Sequence, residues 1–312
     1  MERNDVYEEL RPLMFSIAYR MVGSVSDAED IVQEAFLRYH AASEQSEIES
    51  PKAYLSAVTT RLGIDQLRSA RVRRERYVGP WLPEPLLTDA VPDAAQHAEA
   101  ADTLSLAFLV LLESLSPPER AVFLLREVFG YPYDEIAEFV GKSEENCRQL
   151  AARARRHVDE GRPRFEASRE EREELARRFF EAAGEGDTEG LLDLLAADVV
   201  FYGDGGGKVP AVPYPLFGRE RVGRVLLGFG KQLRQFGLGT RSVEVNGQPG
   251  ALVLDPEGRV AYVVTLDIAD GLVQTVRSIV NPDKLGHLAP LADVPRLKRP
   301  QPAQYRGSRG PE

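Results

Sequence analysis

Apolar residues recur at helical spacing through the first half of the chain. A stripe from Leu10 to Met21 predicts one helix, which Gly23 interrupts. Ser26 is predicted to cap a second helix, whose first turns are acidic, as the helix dipole favours. Pro51 begins a third helix, since proline fits the first helical position, and that helix ends in an arginine-rich stretch.

Residues 133–157 are predicted to form two helices around a tight turn. Gly141 supplies the turn, because a positive φ is easiest without a Cβ, and Ser143 caps the second helix. Apolar residues repeat at helical spacing from Cys147 to Val158, and polar and basic residues occupy the opposite face. This pattern predicts a helix-turn-helix, whose second helix can enter the major groove of DNA. The alternative is a generic helical hairpin with a solvated arginine face.

Beyond about residue 170 the pattern changes from helices to strands. Two helices separated by a Gly-Asp turn precede a strand and a glycine-rich loop, and another helix runs from Gly218 to Phe236. Four β-rich runs follow, separated by hairpin signals such as Asn246-Gly247 and Asp270-Gly271. Helices followed by an antiparallel sheet predict an α+β domain.

Composition and charge narrow the possible functions. The 312 residues suffice for two or three domains, and the single cysteine excludes an internal disulfide. The four histidines lack ligand spacing, so no metal or cofactor is predicted. No apolar run resembles a signal peptide or a membrane span, which predicts a cytoplasmic protein. The net charge is −10, but basic strips at Arg61 to Arg76 and Arg148 to Arg156 indicate local contact with nucleic acid.

Three segments resemble, in order and spacing, a bacterial sigma factor of the extracytoplasmic-function (ECF) group. They are DAEDIVQEAF, SPKAYLSAVTTRLGIDQLRSARVRRE, and the stretch from LSPPERAVF through the helix-turn-helix. The resemblance implies a transcription initiation factor whose partners are promoter DNA and the β′ and β subunits of core RNA polymerase. The residues expected to bind core polymerase are Asp27, Asp30, Gln33 and Glu34. Those expected at the −10 element are Tyr54, Arg61, Arg68, Arg71 and Arg74. Those expected at the −35 element are Ser143, Glu144, Arg148, Gln149 and Arg153.

Three further motifs extend the resemblance to ECF sigma factors with a C-terminal SnoaL-like domain, a member of the cone-shaped NTF2-like fold. They are WLPEP, DGGGK and NPDKL. The resemblance implies a dual role, in which the extension is needed for activity and the tail inhibits. We expect the WLPEP linker to dock on the SnoaL-like domain, where the other two motifs line the facing surface. The residues of this interface are Trp81, Leu82, Pro83, Glu84, Pro85, Asp204, Gly205, Gly206, Gly207, Lys208, Asn281, Pro282, Asp283, Lys284 and Leu285.

The predicted architecture is therefore two all-α modules joined to an α+β cone domain. Its boundaries are sigma region 2 in residues 1–79, the linker in 80–103 and sigma region 4 in 104–166. The SnoaL-like domain occupies 167–285, and a flexible tail occupies 286–312.

Two other functions remain open at this point. One is a ligand-sensing regulator that uses the helix-turn-helix alone. The other is a SnoaL-like enzyme, with Tyr202, Asp204 and Asp267 lining a pocket, although no Asp–His or Asp–Arg constellation is visible. The DGGGK loop lacks P-loop spacing, since Val209 follows the lysine, so it is interpreted as a point of close backbone approach rather than a nucleotide site. A small molecule in the SnoaL-like pocket is a further possible partner, and catalysis is not predicted.

Overall fold

A computed structural model describes residues 3–74, 76–88, 103–161 and 168–292, except for the side chains of residues 3–5, 71–73 and 161. The N-terminal helices are α1 (Arg3–Val22), α2 (Val25–Ser43) and α3 (Pro51–Arg74). The second helical module contains α4 (Leu106–Leu112), α5 (Pro117–Phe123), a π-helical turn (Leu124–Val128), α6 (Tyr133–Val140) and α7 (Glu144–Gly161). The last domain contains α8 (Arg169–Glu185), α9 (Thr188–Leu194), α10 (Arg219–Phe236) and a 3₁₀ turn (Pro282–Lys284). Its strands are β1 (Leu195–Asp204), β2 (Leu216–Phe217), β3 (Gly239–Val245), β4 (Gln248–Leu254), β5 (Val260–Ala269) and β6 (Leu272–Ile279).

The start of α2 differs from the prediction. Ser24, rather than Ser26, is the N-cap, and its hydroxyl accepts a hydrogen bond from the backbone N–H of Asp27 at 3.1 Å. Ser24 has the extended backbone that a cap requires, with φ −129° and ψ 130°. The helix therefore begins at Val25, directly after the turn at Gly23.

The predicted helix-turn-helix is formed by α6 and α7. Gly141 ends α6 in the left-handed conformation with φ 65° and ψ 45°. The Ser143 hydroxyl accepts from the backbone N–H of Asn146 at 3.3 Å at the start of α7. Cys147 faces inward with Ala151, Ala154 and Val158 and is fully buried, so it packs in the core as its position predicts.

The C-terminal domain has helices followed by a sheet, as predicted for an α+β domain. The six strands lie in the order β2-β1-β6-β5-β4-β3. One pairing differs from the expected antiparallel sheet, because β1 runs parallel to β6, with Tyr202 opposite Arg277. The long connection through α10 and the β3–β5 strands makes this parallel pair possible.

Both faces of this sheet are covered. Side chains such as Phe201, Leu266 and Val276 pack against α8, α9 and α10. Residues that point the other way, such as Leu252 and Val263, join a second cluster with Leu82 of the linker and the helices of the N-terminal module. Because successive strand residues face opposite sides, one face of the sheet packs in the core of its own domain and the other face packs against the linker and the N-terminal module.

The start of the flexible tail was predicted at residue 286, which is too early in the sequence. Leu288 and Leu291 pack against the cluster that joins the modules, and Leu291 forms a parallel bridge with Val260 at the start of β5. His287 donates to the carbonyl of Pro85 at 2.7 Å. Residues 286–292 are therefore docked, since their apolar side chains pack against the rest of the protein, and residues 293–312 lie outside the described part of the chain.

Among the described helices, none is long and apolar enough to cross a membrane.

Candidate functional site

The face of α7 opposite the core is open to solvent. Arg148, Gln149 and Arg153 are exposed there, while Ala151 and Ala154 are buried on the other side. Glu144 forms an ion pair with Arg148 at 2.6 Å one turn along the helix, and Ser143 is exposed at its start. All five residues predicted to read the −35 element thus lie at or near one accessible helix face.

The predicted polymerase-binding residues lie on the outer side of α2. Asp30 and Gln33 are exposed, and Asp27 and Glu34 are half-buried. Glu34 pairs with Arg38 at 2.7 Å, one turn along the helix. The helix therefore presents acceptor groups on a single face while its apolar side, including Ile31 and Val32, is buried.

The residues predicted to hold the −10 element divide into two groups. Arg68 is exposed and contacts only Asp65 on its own helix, at 3.0 Å, among the contacts described. Tyr54 is half-buried, and its hydroxyl donates to the carbonyl of Arg38 at 3.4 Å. In contrast, Arg61 and Arg74 are engaged by other parts of the protein. The side chain of Arg71 lies outside the described residues.

Arg61 joins α3 to the helix-turn-helix. Its Nε donates to the carbonyl of Phe139 at 3.0 Å, and its Nη2 donates to the carbonyl of Glu138 at 2.7 Å. These carbonyls lie in the last turn of α6, where no intrahelical donor remains and the helix dipole favours a cation. Nearby, Ser56 of α3 is hydrogen-bonded to the Tyr131 hydroxyl at 2.8 Å. The two helical modules are therefore in direct contact through α3.

An ionic cluster around the buried Arg120 forms a second contact between these modules. Glu113 pairs with Arg120 at 2.5 Å and also with Arg74 of α3. Arg120 is 1% exposed and donates to the carbonyl of Arg20 at 3.0 Å. Burial lowers the pKa of Arg120 to about 9, and the carboxylate of Glu113 supplies its counter-charge. Removing Glu113 would leave the buried charge of Arg120 without this counter-charge, whereas Glu113 would keep Arg74 as a partner if Arg120 were removed.

Glu84 of the WLPEP motif closes the N-terminus of α2. Its carboxylate accepts from the hydroxyl of Ser24 at 2.8 Å and the backbone N–H of Val25 at 2.7 Å. It also accepts from the backbone N–H and the hydroxyl of Ser26, both at 3.3 Å. A carboxylate at this place meets unpaired N–H groups and the positive end of the helix dipole. The linker is thereby fixed to the same helix that carries the predicted polymerase-binding face.

The other side of the WLPEP motif docks on the C-terminal domain. The backbone N–H of Leu82 donates to Asp204 at 2.8 Å, and Lys284 donates to the carbonyl of Leu82. Lys284 also pairs with Asp204 at 2.7 Å, and both side chains are buried. Trp81 lies between the modules, with the Arg74 guanidinium 3.6 Å and the Lys284 ammonium 4.4 Å from its ring. Pro83 and Pro85 are buried beside them.

Tyr77 completes this junction. Its hydroxyl donates to Asp204 at 2.5 Å and accepts from the Asn281 amide at 2.9 Å. Burial, reinforced by the Asp204 carboxylate, raises the pKa of Tyr77 far above its ordinary value. The tyrosine therefore stays protonated and acts as a donor that joins the end of α3 to the sheet.

The DGGGK loop acts by close backbone approach. A Cβ on Gly206 would lie 2.4 Å from the Asn281 amide and 3.0 Å from the Tyr77 hydroxyl, and this glycine has φ 57°. A Cβ on Gly205 would lie 2.4 Å from the carbonyl of Val209. At the rim, Lys208 pairs with Asp283, which follows Pro282 in the NPDKL segment, while Leu285 is buried. The glycines thus admit the NPDKL turn and Tyr77, as their interpretation as an approach point requires.

Asn246 connects three parts of the chain from the turn between β3 and β4. Its Nδ2 donates to the Tyr19 hydroxyl at 2.8 Å and to the carbonyl of Leu104 at 3.0 Å. Its Oδ1 accepts from the backbone N–H of Leu86 at 2.9 Å. The Tyr19 hydroxyl in turn donates to the carbonyl of Glu84 at 2.6 Å. Asn246 is fully buried with φ 53°, a conformation that asparagine tolerates better than most residues.

The end of the described linker also extends the sheet. Leu87 forms an antiparallel bridge with Val245, and the backbone N–H of Thr88 donates to the carbonyl of Glu244 at 2.9 Å. The backbone N–H of Asn246 donates to the carbonyl of Leu86 at 2.8 Å. Because β3 is an edge strand, its unpaired backbone groups are a template for such an addition.

Comparison with known proteins decides the family. Residues 6–73 match the family description Sigma-70 region 2, and residues 105–158 match Sigma-70, region 4. The ECF RNA polymerase sigma factor SigJ of Mycobacterium tuberculosis is 39% identical over 292 residues, which cover 89% of this chain and 91% of SigJ. The chain belongs to the ECF RNA polymerase sigma factors. Sigma factors bind core RNA polymerase and promoter DNA, and this sigma factor acts in transcription initiation.

Two further similarities cover most of the chain. The probable ECF RNA polymerase sigma factor SigI of Mycobacterium tuberculosis is 35% identical, over 89% of this chain and 93% of SigI. The crystal structure of SigJ superposes with a TM-score of 0.73 at 36% identity, covering 92% of this chain and 99% of the SigJ chain. The predicted architecture is confirmed, with helical sigma modules followed by a domain of helices and a mixed sheet. A regulator that uses the helix-turn-helix alone is not favoured by any of these similarities.

Several residues of these interfaces escaped the sequence analysis. Asn246 was interpreted only as a hairpin signal, and Tyr77 was not among the predicted interface residues. An Asp–Arg constellation does exist in the C-terminal domain, contrary to expectation, because Asp267 forms a buried ion pair with Arg277. This pair was not predicted because ten residues separate Asp267 from Arg277 in the sequence, and only the pairing of β5 with β6 brings them together.

Proposed function

We propose that this sigma factor is held by its SnoaL-like domain in a closed arrangement that must open before both promoter elements can be bound. The observation that carries the proposal is the direct contact of α3 with α6 through Arg61, at 2.7 and 3.0 Å. Elements named −10 and −35 lie about 25 base pairs apart, which is about 85 Å along straight B-DNA. Two modules in contact cannot span that distance together.

We propose roles for the predicted residues once the closed arrangement has opened. Asp27, Asp30, Gln33 and Glu34 are proposed to bind the β′ subunit of core polymerase, with β as a second partner of the sigma factor. Arg148, Gln149, Arg153, Ser143 and Glu144 are proposed to read the −35 element, where an arginine can bond guanine in bidentate fashion. Tyr54, Arg61, Arg68, Arg71 and Arg74 are proposed to hold the −10 strand, mainly through phosphates. The exposure of α7 and the engagement of Arg61 and Arg74 support an order in which region 2 is released on opening.

We propose that the linker transmits the effect of the C-terminal domain to the sigma modules. Glu84 holds region 2, Leu82 and Trp81 contact the C-terminal domain, and Asn246 contacts both modules and the linker. Covalent attachment raises the effective concentration of the domain at the sigma modules to the order of millimolar, so modest contacts suffice. The domain boundaries given above, with docking extended to residue 292, are part of this proposal.

We propose that the C-terminal domain is a binding and regulatory module rather than an enzyme. Asp204, one of the candidate pocket residues, is engaged by Tyr77, Leu82 and Lys284. Asp267 is neutralised by Arg277, which also lies 5.8 Å from the ring of Tyr202. A cytoplasmic location follows from the proposed partners, which are core polymerase and promoter DNA.

Transcription in vitro with purified core polymerase tests the closed arrangement. Chains ending at residues 168, 285, 292 and 300 are compared with the full chain for core binding and for transcript from a cognate promoter. The chains ending at 285 and 292 form a matched pair, because only the longer one keeps Leu288 and Leu291. We expect the chain ending at 168 to lose activity and the chain ending at 300 to gain it. Equal transcription from all of the truncated chains and the full chain would rule out a regulatory extension.

A further inference from the structure

A cleft of about 380 Å³ lies between α8 and the β3–β4 hairpin, away from the interface cluster of Asp204. Ala176, Phe180 and Val243 contribute its apolar lining, and Arg169 and Arg172 contribute cationic groups from consecutive turns of α8. Its volume falls within the range of small-molecule sites, which are mostly apolar with a few convergent polar groups.

Arg172 lines the cleft, and its neighbour Gln248 is buried behind it; each has one N–H donor without a partner within the described residues. Arg172 donates through Nη1 to the Gln248 Oε1 at 2.9 Å, which fixes the orientation of that amide. The Arg172 Nε and the Gln248 Nε2 are both buried without a hydrogen-bond partner in the described chain, and Gln248 is 2% exposed. Buried polar groups are nearly always paired, so the unpaired Nε of Arg172, a lining residue, indicates that an acceptor close to this guanidinium would be stabilised.

The charged residues that line the cleft limit the charge that a bound acceptor can carry. Arg169 forms ion pairs with Glu173 at 2.8 Å and with Glu244 at 2.9 Å, and both glutamates line the cleft. Arg177, the third arginine of the lining, pairs with Glu174 and Glu181 at 2.6 and 2.7 Å. Arg172 is therefore the lining arginine for which the described contacts include no carboxylate, which suits one negative charge and disfavours a dianion such as phosphate. An ionised carboxylate offers acceptor oxygens only and matches the planar fork of a guanidinium.

We propose that this cleft binds a small amphipathic molecule with one carboxylate, and that its binding loosens the linker. The carboxylate meets Arg172 and Arg169, and the apolar part of the molecule covers Phe180, Ala176 and Val243. Such a ligand competes with Glu244 for Arg169.

Glu244 connects the cleft to the linker. Its carboxylate accepts from the Thr88 hydroxyl at 2.7 Å, and its carbonyl accepts from the Thr88 N–H at 2.9 Å. Gly247, which also lines the cleft, donates through its backbone N–H to the same hydroxyl at 3.0 Å. A ligand shifts the closed arrangement only if it binds the closed and open forms unequally. This coupling rests on the proposed function, whereas binding in the cleft does not.

Calorimetric titration of the full chain with octanoate and with its neutral analogue octanamide tests the site. We expect octanoate to bind with a Kd of about 1 mM or tighter, and octanamide to bind about tenfold more weakly. Arg172→Met should remove this preference for the carboxylate. Arg178→Met is the matched control, because Arg178 lies on the same helix but lines a different groove. Arg169→Met is a second variant at an exposed position, should loss of Arg172 impair folding.

Hydrogen exchange at the Thr88 amide tests the coupling in the same samples. We expect octanoate to speed exchange at this amide in the wild type and not in Arg172→Met. No octanoate binding, equal affinity for the two probes, or an unchanged preference in both arginine variants overturns the site. Binding without a change at Thr88 overturns the coupling. Polymerase is absent from these measurements, so a negative result here leaves the closed-arrangement proposal standing.

Discussion

Replacing Arg61 by alanine should open the closed arrangement. The variant loses two hydrogen bonds to the carbonyls of Glu138 and Phe139. A hydrogen bond contributes about 0.5–1.5 kcal/mol net, and Arg61 is exposed, so the lower half of that range applies to each bond and the sum is roughly 1–2 kcal/mol. At about 1.4 kcal/mol for each tenfold change, the open population should rise about 5- to 30-fold.

Arg68→Ala is the matched control for this experiment. Both arginines lie on α3 and both are proposed to contact the −10 strand, but the described contact of Arg68 is with Asp65 on its own helix. Energy transfer between dyes at Ser46→Cys and Glu145→Cys, both exposed positions, reports the separation of the two modules. The native cysteine is buried in the helix-turn-helix core, which restricts labelling to the introduced positions.

The two variants should separate opening from DNA binding. We expect both to bind a premelted −10 fragment more weakly, and Arg61→Ala alone to show lower energy transfer before DNA is added. Identical energy transfer in Arg61→Ala and Arg68→Ala would refute the assignment of Arg61 as a contact that holds the modules together. A loss of folding is detected separately by circular dichroism of each variant.

Three further predictions concern the linker. Glu84→Gln removes the carboxylate from the start of α2, and because each charge-assisted hydrogen bond contributes about 1.5–3 kcal/mol, urea unfolding should show a loss of at least about 1.5 kcal/mol; an unchanged midpoint would contradict the capping role. Burial, partly offset by Asp204, lowers the pKa of Lys284 to about 8 from its ordinary 10.5. Between these values the unfolded chain holds more protons, so the stability difference between wild type and Lys284→Met should rise with pH from about 8 toward 10.5, and a flat difference would argue against burial of the ammonium. Asn246→Gly keeps the positive φ but removes the side-chain bonds to Tyr19, to Leu104 and to the backbone N–H of Leu86. Hydrogen exchange at the Leu86 amide should therefore become faster, and unchanged protection of this amide would show that these bonds are dispensable.

Much of the local structure could be predicted from short-range patterns. The stripe on α7, the left-handed Gly141 and the strand runs depend on neighbours within a few residues, which the sequence lists in order. The cap of α2 was placed two residues too late, because Ser24 and Ser26 have the same chemistry and only the backbone at Ser24 shows which one is outside the helix. The docked residues 286–292 were assigned to the tail, because their apolar side chains have no periodic pattern of their own.

The candidate interface was predicted in its motifs but not in its partners. WLPEP, DGGGK and NPDKL were expected to face one another, and the structure describes contacts among all of these motifs. The attachment of Glu84 to α2 was not expected, since a glutamate in a proline-rich stretch has no local partner. The retention of Arg61 by α6 was not expected either, because backbone carbonyls carry no sequence signature.

By itself the sequence determined the helices, the helix-turn-helix, the strands and the family, since each depends on local periodicity or on ordered motifs. Only the tertiary structure decided which surfaces are in use. The bond from Asn246 to Tyr19 joins residues 227 positions apart, and the bond from Leu82 to Asp204 joins residues 122 apart. Such contacts depend on how both faces of the sheet are covered, which is a property of packing rather than of any one segment.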